Sequence, residues 1–164
     1  KLYNTMTKIR DKTVLLMFAT TGLRRNELFG LTRENIDFDR RMVTPDENSR
    51  TKRTYVTFYN QEAENHLEKH LDKKDSNKGI FSIRPRSANR IFREKSKKAG
   101  IETITPQDLR KWFAKKMRDL GVSGEHIDAF AGRLPRSVRG KHYTDYSPER
   151  LREVYEDAGI TVLP

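Results

Sequence analysis

The chain has 164 residues and carries 34 lysines and arginines against 23 aspartates and glutamates, a formal net charge of +11. An excess of this size indicates a polyanionic partner, and nucleic acid fits better than an anionic membrane. Cysteine is absent, which excludes disulfides, thiolate nucleophiles and cysteine-based zinc sites. The longest apolar run spans only 14–19, so no segment approaches the length of a membrane helix, and the start of the chain lacks a signal-peptide pattern.

The first half of the chain predicts three helices and a small sheet. Gly22 is expected to close the first helix, because glycine commonly ends helices. The helices are predicted at 7–22, 23–32 and 61–74. Strand-like segments, expected to pair in an antiparallel sheet, lie at 36–39, 41–45 and 53–59, and a candidate for one more short strand lies at 78–82.

The second half predicts four more helices, at 85–100, 105–121, 123–132 and 147–159. The helix over 105–121 has the clearest signals, since Thr105 can cap it and Gly121 ends it. A terminal strand is a candidate at 160–163. The inner face of the helix over 105–121 is expected to hold Leu109, Trp112, Phe113, the stem of Lys116 and Leu120. The whole pattern predicts a single domain that is mainly α-helical with one small sheet.

Positive charge is concentrated in clusters, at 24–25, 50–53, 84–98, 110–118 and 133–142. Solvated helix faces are a sufficient explanation for some of these lysines. Arginines at helix starts and beside glycines are harder to explain in that way. Guanidinium groups bind two phosphate oxygens at once, and helix N-termini add backbone donors.

Two segments carry a recognisable pattern. TTGLRRNELFGL (20–31) resembles the first motif of the tyrosine recombinase, or phage integrase, family, with Arg24 and Glu27 at its arginine and acidic positions. QDLRKWFAKKM (107–117) resembles the second motif, with Arg110 at its arginine.

A third segment completes the resemblance. AGRLPRSVRGKHYTDYS (131–147) is similar to the third family motif, in which a glycine-anchored position precedes the nucleophilic tyrosine by about nine residues. Tyr143 follows Arg133 by ten residues and Tyr146 by thirteen, so the resemblance favours Tyr143 as the nucleophile. The sequence of this segment looks most like that of integrases of archaeal viruses and plasmids.

The resemblance implies an α+β fold, mainly α-helical, with a small three-stranded antiparallel sheet. It implies site-specific DNA recombination, in which the tyrosine cuts one strand through a 3′-phosphotyrosyl intermediate and the strand is rejoined to another partner. No metal or other cofactor is implied. The expected partners are double-stranded DNA attachment sites and a homotetramer on that DNA, with no membrane, in the cytoplasm of a prokaryotic or archaeal host. Because the chain does not begin with methionine, we expect 1–164 to be the single catalytic domain of a longer integrase that also has an N-terminal core-binding domain.

The resemblance also assigns roles to the phosphate-binding side chains. Arg24 and Arg110 are expected to bind the non-bridging oxygens, and Arg133 to add a third contact. Two positions depart from the family: Gln107 replaces the usual histidine of the second motif, and Arg133 replaces a histidine or tryptophan. Glutamine can donate a hydrogen bond but cannot shuttle a proton. Glu27 is expected to orient an arginine, which would also be an ordinary ion pair.

The proton transfers are expected to involve a lysine between two strands. Lys52 is the only lysine in 46–55 and is our candidate general acid, although a solvated loop lysine is the alternative. His142 precedes the tyrosine and is a candidate helper, with a plain surface histidine as the alternative. Further DNA contacts are expected from Arg25, Arg50, Arg53, Arg86, Arg90, Arg93, Lys111, Arg136 and Arg139.

Two other functions remain open on the sequence. One is a type IB topoisomerase-like enzyme that nicks and closes DNA. The other is a non-catalytic DNA-binding module, which Gln107 keeps open because it removes a proton-transfer group.

Overall fold

The computed structural model describes residues 1–46, 55–72, 79–81, 83–133 and 144–164. Within these ranges the helices are α1 (Leu2–Thr5), α2 (Ile9–Thr21), α3 (Arg25–Gly30), α4 (Gln61–Leu71), α5 (Pro85–Lys98), α6 (Pro106–Asp119), α7 (Gly124–Phe130) and α8 (Pro148–Ala158). The strands are β1 (Ile36–Asp37), β2 (Met42–Val43) and β3 (Thr57–Phe58).

The three strands form one antiparallel sheet in the order β1-β2-β3. Val43 of β2 lies opposite Ile36 on one side and opposite Thr57 on the other. The expected fold class, mainly helical with a small three-stranded antiparallel sheet, is therefore confirmed. No helix in the described ranges is long and apolar enough to cross a membrane.

Helix α2 is the centre of the fold, and almost every residue from Thr13 to Thr21 is buried. It packs against both α4 and α6. Gly22 ends it with a positive φ of 64°. A Cβ atom at this position would collide with the ring of Phe113, so glycine allows α6 to cross the end of α2 closely.

The inner face of α6 was predicted only in part. Leu109 and Phe113 are buried as expected, whereas Trp112 and Leu120 are each 37% exposed. The prediction that Trp112 is buried was wrong. The buried residues of α6 follow the line through Arg110, Phe113 and Met117, and position 112 faces away from that line.

Neither of the two additional candidate strands forms in the described residues. In 160–163 the backbone N–H groups of Val162 and Leu163 donate to the carboxylate of Glu62, at 2.8 and 3.0 Å. Asn60 binds the carbonyl of Ile160 at 2.9 Å. Side chains of α4 thus take the place of a strand partner. In the described part of 78–82, Ile80 is buried and donates its N–H to Leu31.

Candidate active site

Arg110 is a buried cation held by the ends of two helices. It is only 6% exposed. One guanidinium nitrogen donates to the carbonyl of Gly22 at the end of α2, and the other donates to the carbonyl of Ala131 at the end of α7, at 2.6 Å. Carbonyl groups at helix C-termini carry partial negative charge, which offsets part of the cost of burying the guanidinium.

Arg24 reaches the same place from the start of α3. Its Nη2 donates to the carbonyl of Ala131 at 3.0 Å. Its Nη1 pairs with Glu27 at 2.8 Å, and the other oxygen of Glu27 accepts the backbone N–H of Arg24 at 2.7 Å. Glu27 therefore caps α3 and orients the arginine at the same time. The structure thus brings the arginines of the first two motifs to one carbonyl oxygen.

The electrostatics of this cluster favour an anion. Burial lowers the pKa of Arg110 to about 10, the positive charges of Arg24 and Arg133 act in the same direction, and Glu27 opposes them. Arg110 is still protonated at neutral pH. Because cations held side by side repel one another, a bound anion would relieve this repulsion and stabilise the arrangement.

Arg133 lies at the edge of this cluster. Its guanidinium is 63% exposed and pairs with Asp128 of α7 at 3.2 Å. Gly132, with a φ of 65°, ends α7 immediately before it. Asp128 did not emerge from the sequence as a site residue. The sequence signal for the two carbonyl groups was the pair of glycines that mark the ends of α2 and α7, but nothing local indicated that both ends meet one arginine.

Gln107 lies in the first turn of α6, one turn before Arg110, and is exposed. Its side chain makes no hydrogen bond to another described residue, so its amide is available to a ligand. Lys111 is also exposed, at 71%, and lies 3.7 Å from Asp108. Across the described ranges, no group of three or more His, Asp or Glu side chains is placed to hold a metal ion.

The remaining expected site residues lie outside the described residues. These are Tyr143, Lys52, His142, Arg50, Arg53, Arg136 and Arg139. The residue after the tyrosine is described: the hydroxyl of Thr144 donates to Glu125 of α7 at 2.5 Å. Tyr146 packs edge-on against His126, with ring centroids 6.2 Å apart.

Helix α5 presents a basic face to solvent. Arg86, Arg90 and Arg93 are exposed and follow the spacing of one helix face, while Ala88 and Phe92 are buried on the other. Arg90 pairs only loosely with the carboxylate of Glu94, at a distance of 4.0 Å. Arg25 at the start of α3 is exposed as well.

Solved structures with the same fold include a recombinase and integrases. A crystal structure of XerA recombinase superposes with a TM-score of 0.71 at 24% sequence identity, over 98% of this chain and 61% of that one. The Tn1549 transposon integrase, solved in complex with circular intermediate DNA, superposes with a TM-score of 0.60 at 16% identity, over 88% of this chain and 57% of that one.

Residues 1–150 match the phage integrase family, and the chain belongs to that family. A curated relative, the tyrosine recombinase XerA of Pyrococcus furiosus, is 29% identical over 162 residues. That match covers 93% of this chain and 56% of the relative, so the chain spans a little over half the length of the relative.

Proposed function

We propose that residues 1–164 are the catalytic domain of a longer enzyme that recombines DNA at specific sites, with Tyr143 as the nucleophile. The observation that supports it most is the shared carbonyl of Ala131, on which Arg24 and Arg110 converge. With Arg133, three arginines face the two carboxylates of Glu27 and Asp128. The excess of one positive charge matches the single negative charge of a phosphodiester.

In this proposal the oxygen of Tyr143 attacks the scissile phosphorus, and the bond from phosphorus to the 5′ oxygen breaks. The leaving 5′ oxygen takes a proton from Lys52, and the phenol gives up its own proton to solvent or to the neighbouring His142. The arginines stabilise the charge that builds on the non-bridging oxygens. Gln107 donates a further hydrogen bond.

The product is a 3′-phosphotyrosyl ester and a free 5′ hydroxyl. The ester retains the bond energy of the phosphodiester, so the 5′ hydroxyl of another strand can reverse the reaction. For this reason the proposed reaction needs no nucleotide cofactor, and in this proposal the arginines, in place of a metal ion, meet the charge on the phosphate.

The proposed substrate is a double-stranded attachment site of viral or plasmid DNA, bound in the cytoplasm of a prokaryotic or archaeal host. The Tn1549 integrase, solved with DNA, supports this substrate class through the shared fold. The basic face of α5, with Arg25, Lys111 and the arginines at positions 50, 53, 136 and 139, is proposed to contact the DNA backbone. A homotetramer on paired sites would carry out the exchange.

The test is a nicked DNA substrate that traps the covalent intermediate, built on a sequence selected for binding from a random pool. Wild-type protein is expected to form a covalent adduct. Tyr143→Phe is expected to form none and to keep its DNA affinity, while Tyr146→Phe, the matched control, still forms it. An adduct from Tyr143→Phe would identify a different nucleophile.

A second measurement separates recombination from the alternatives. Strand exchange between two DNA sites is expected. Relaxation of supercoiled DNA without exchange would indicate the topoisomerase-like function, and binding with no adduct from the wild type would indicate a non-catalytic module.

A further inference from the structure

Side chains from three other elements bind the backbone at the last turn of α2. Helix ends leave carbonyl groups without partners inside the helix, and buried carbonyls need donors from elsewhere. Three buried side chains from different elements supply them: Tyr155 of α8 donates to Thr20 at 2.9 Å, Thr57 of β3 donates to Thr21 at 2.7 Å, and Arg110 of α6 donates to Gly22.

Each of these elements contains, or is close along the chain to, a residue with a different proposed catalytic role. Strand β3 continues the segment that contains Lys52, and α8 begins five residues after Tyr143. Arg110 comes from α6, and Arg24 follows Gly22 by two residues. The three carbonyls therefore connect the segments of Arg24, Arg110, Lys52 and Tyr143, while Arg133 comes from the end of α7.

The two neutral donors have no packing requirement that explains their hydroxyl groups. Thr57 is fully buried and Tyr155 is 4% exposed, so valine and phenylalanine would fill the same space. What the hydroxyl groups add is direction, because a hydrogen bond fixes the donor relative to one carbonyl oxygen. Burial also keeps both residues from touching DNA.

We propose that the last turn of α2 sets the relative positions of the catalytic segments, and that Thr57 and Tyr155 are positioning residues for strand cleavage. The inference rests on the proposed function. Neither residue acts on the DNA itself. Each binds a carbonyl in the turn that leads directly to Gly22, whose own carbonyl holds Arg110 and which precedes Arg24 by two residues.

The test compares variants that remove one buried hydroxyl. Thr57→Val and Tyr155→Phe remove the donors, while Thr57→Ser keeps one. Thr13→Val is the matched control, since Thr13 is equally buried on α2 and its hydroxyl binds the carbonyls of Ile9 and His66, away from the arginines. The measurement is the single-turnover rate of adduct formation at saturating nicked DNA, with the DNA Kd and the Tm of each variant.

Thr57→Val and Tyr155→Phe are expected to slow adduct formation roughly tenfold to hundredfold, because small misplacements of catalytic groups carry penalties of this size. Their DNA Kd should not change. Thr57→Ser should restore the rate, and Thr13→Val should lower the Tm to a similar extent while leaving the rate unchanged. If Thr57→Val and Tyr155→Phe keep the wild-type rate, or if Thr13→Val slows the reaction as much, the inference is overturned.

A measurement without DNA keeps this inference separate from the proposed function. Exchange of the Arg110 Nε–H proton, followed by side-chain nitrogen NMR, reports how firmly its guanidinium is held. Exchange should be slow in the wild type and in Thr13→Val, and several-fold faster in Thr57→Val and Tyr155→Phe. If the wild type forms no adduct, the proposed function fails, and unchanged exchange in both variants would still overturn the positioning role.

Discussion

Arg24 and Arg110 donate hydrogen bonds to the same oxygen atom, the carbonyl of Ala131, at 3.0 and 2.6 Å. The two arginines come from different helices and belong to different sequence motifs. A backbone carbonyl between them holds both guanidinium groups without adding the negative charge of a carboxylate. The charge of Arg110 therefore remains available to a phosphodiester, whereas that of Arg24 is partly offset by Glu27.

Another cation should not be able to take over the role of the forked guanidinium group of Arg110. Arg110→Lys keeps a positive charge but cannot bind the carbonyls of Gly22 and Ala131 and a phosphate oxygen in one plane. We expect the single-turnover rate of adduct formation to fall roughly 10²- to 10³-fold, the usual cost of losing one preorganised donor, with little change in DNA Kd. Lys111→Ala, on the exposed side of α6, is the control and should weaken binding without slowing the bound complex. A variant Arg110→Lys with wild-type rate would remove the geometric argument.

The protonation of Arg110 should be unusual among the arginines. Its pKa is lowered from the usual value of arginine to about 10, first by burial and then by the charge of Arg24. The side chain should titrate near pH 10 when followed by carbon NMR at Cζ, and added inorganic phosphate should raise this pKa because an anion favours the charged form.

The lowered pKa of Arg110 also makes the free energy of unfolding depend on pH. From about pH 10 up to the ordinary pKa of arginine, the unfolded chain holds a proton on this residue that the folded chain has released. The free-energy penalty for burying the charged guanidinium is fully present below about pH 10. It decreases as the pH rises through this window, so this residue then lowers the free energy of unfolding by less. An Arg110 signal that titrates only with the exposed arginines would contradict both expectations.

The close crossing of α2 and α6 predicts different costs for two glycine substitutions. Gly22 and Gly100 have almost the same positive φ, 64° and 63°, but only Gly22 has a ring against it, whereas Gly100 faces open space. We expect Gly100→Ala to lower the free energy of unfolding by about 1 kcal/mol through backbone strain alone. Gly22→Ala should cost about 2 kcal/mol more, because α6 must move to make room for the methyl group.

Urea denaturation of the two variants measures this difference directly. Equal losses of unfolding free energy would mean that Phe113 moves aside without cost. Gly22→Ala should also slow adduct formation, since its carbonyl holds Arg110, while Gly100→Ala should not.

The basic face of α5 should appear in the salt dependence of DNA binding. Each lost phosphate contact lowers the slope of log K against log salt by about 0.9, so replacing Arg86, Arg90 and Arg93 with glutamine should lower it by about 2.7. Lys69→Gln, on the exposed side of α4, is the control and should leave the slope unchanged. An unchanged slope in the triple variant would place the DNA elsewhere.

Local signals in the sequence were sufficient for much of the fold. Thr105 caps α6 and Gly22 ends α2 as predicted. Ser123 and Ser147 cap their helices in the same way, and Gly159 follows the end of α8. Caps and glycine stops act within one turn, so they can be recognised from neighbouring residues alone. The motif spacing likewise identified Arg24 and Arg110, because the residue types and their order are properties of the chain.

Other features depend on which surfaces meet, and the sequence did not contain that information in local form. Trp112 was expected inside because it falls on the predicted apolar stripe of α6, yet the buried residues of this helix include Arg110, Phe113 and Met117, and Trp112 is 37% exposed. The segment 160–163 was expected as a strand, but Glu62 supplies its acceptors instead.

The sequence by itself determined the family motifs, the helix ends that a cap or a glycine marks, and the excess of positive charge. Tertiary structure alone decided that the ends of α2 and α7 converge on Arg110, that Ala131 joins it to Arg24, and that Thr57 and Tyr155 share the last turn of α2 with them. The physical reason is that these acceptors are backbone carbonyls. Every residue has one, so residue type gives no signal, and only the packing of the helices selects which carbonyls face a buried donor.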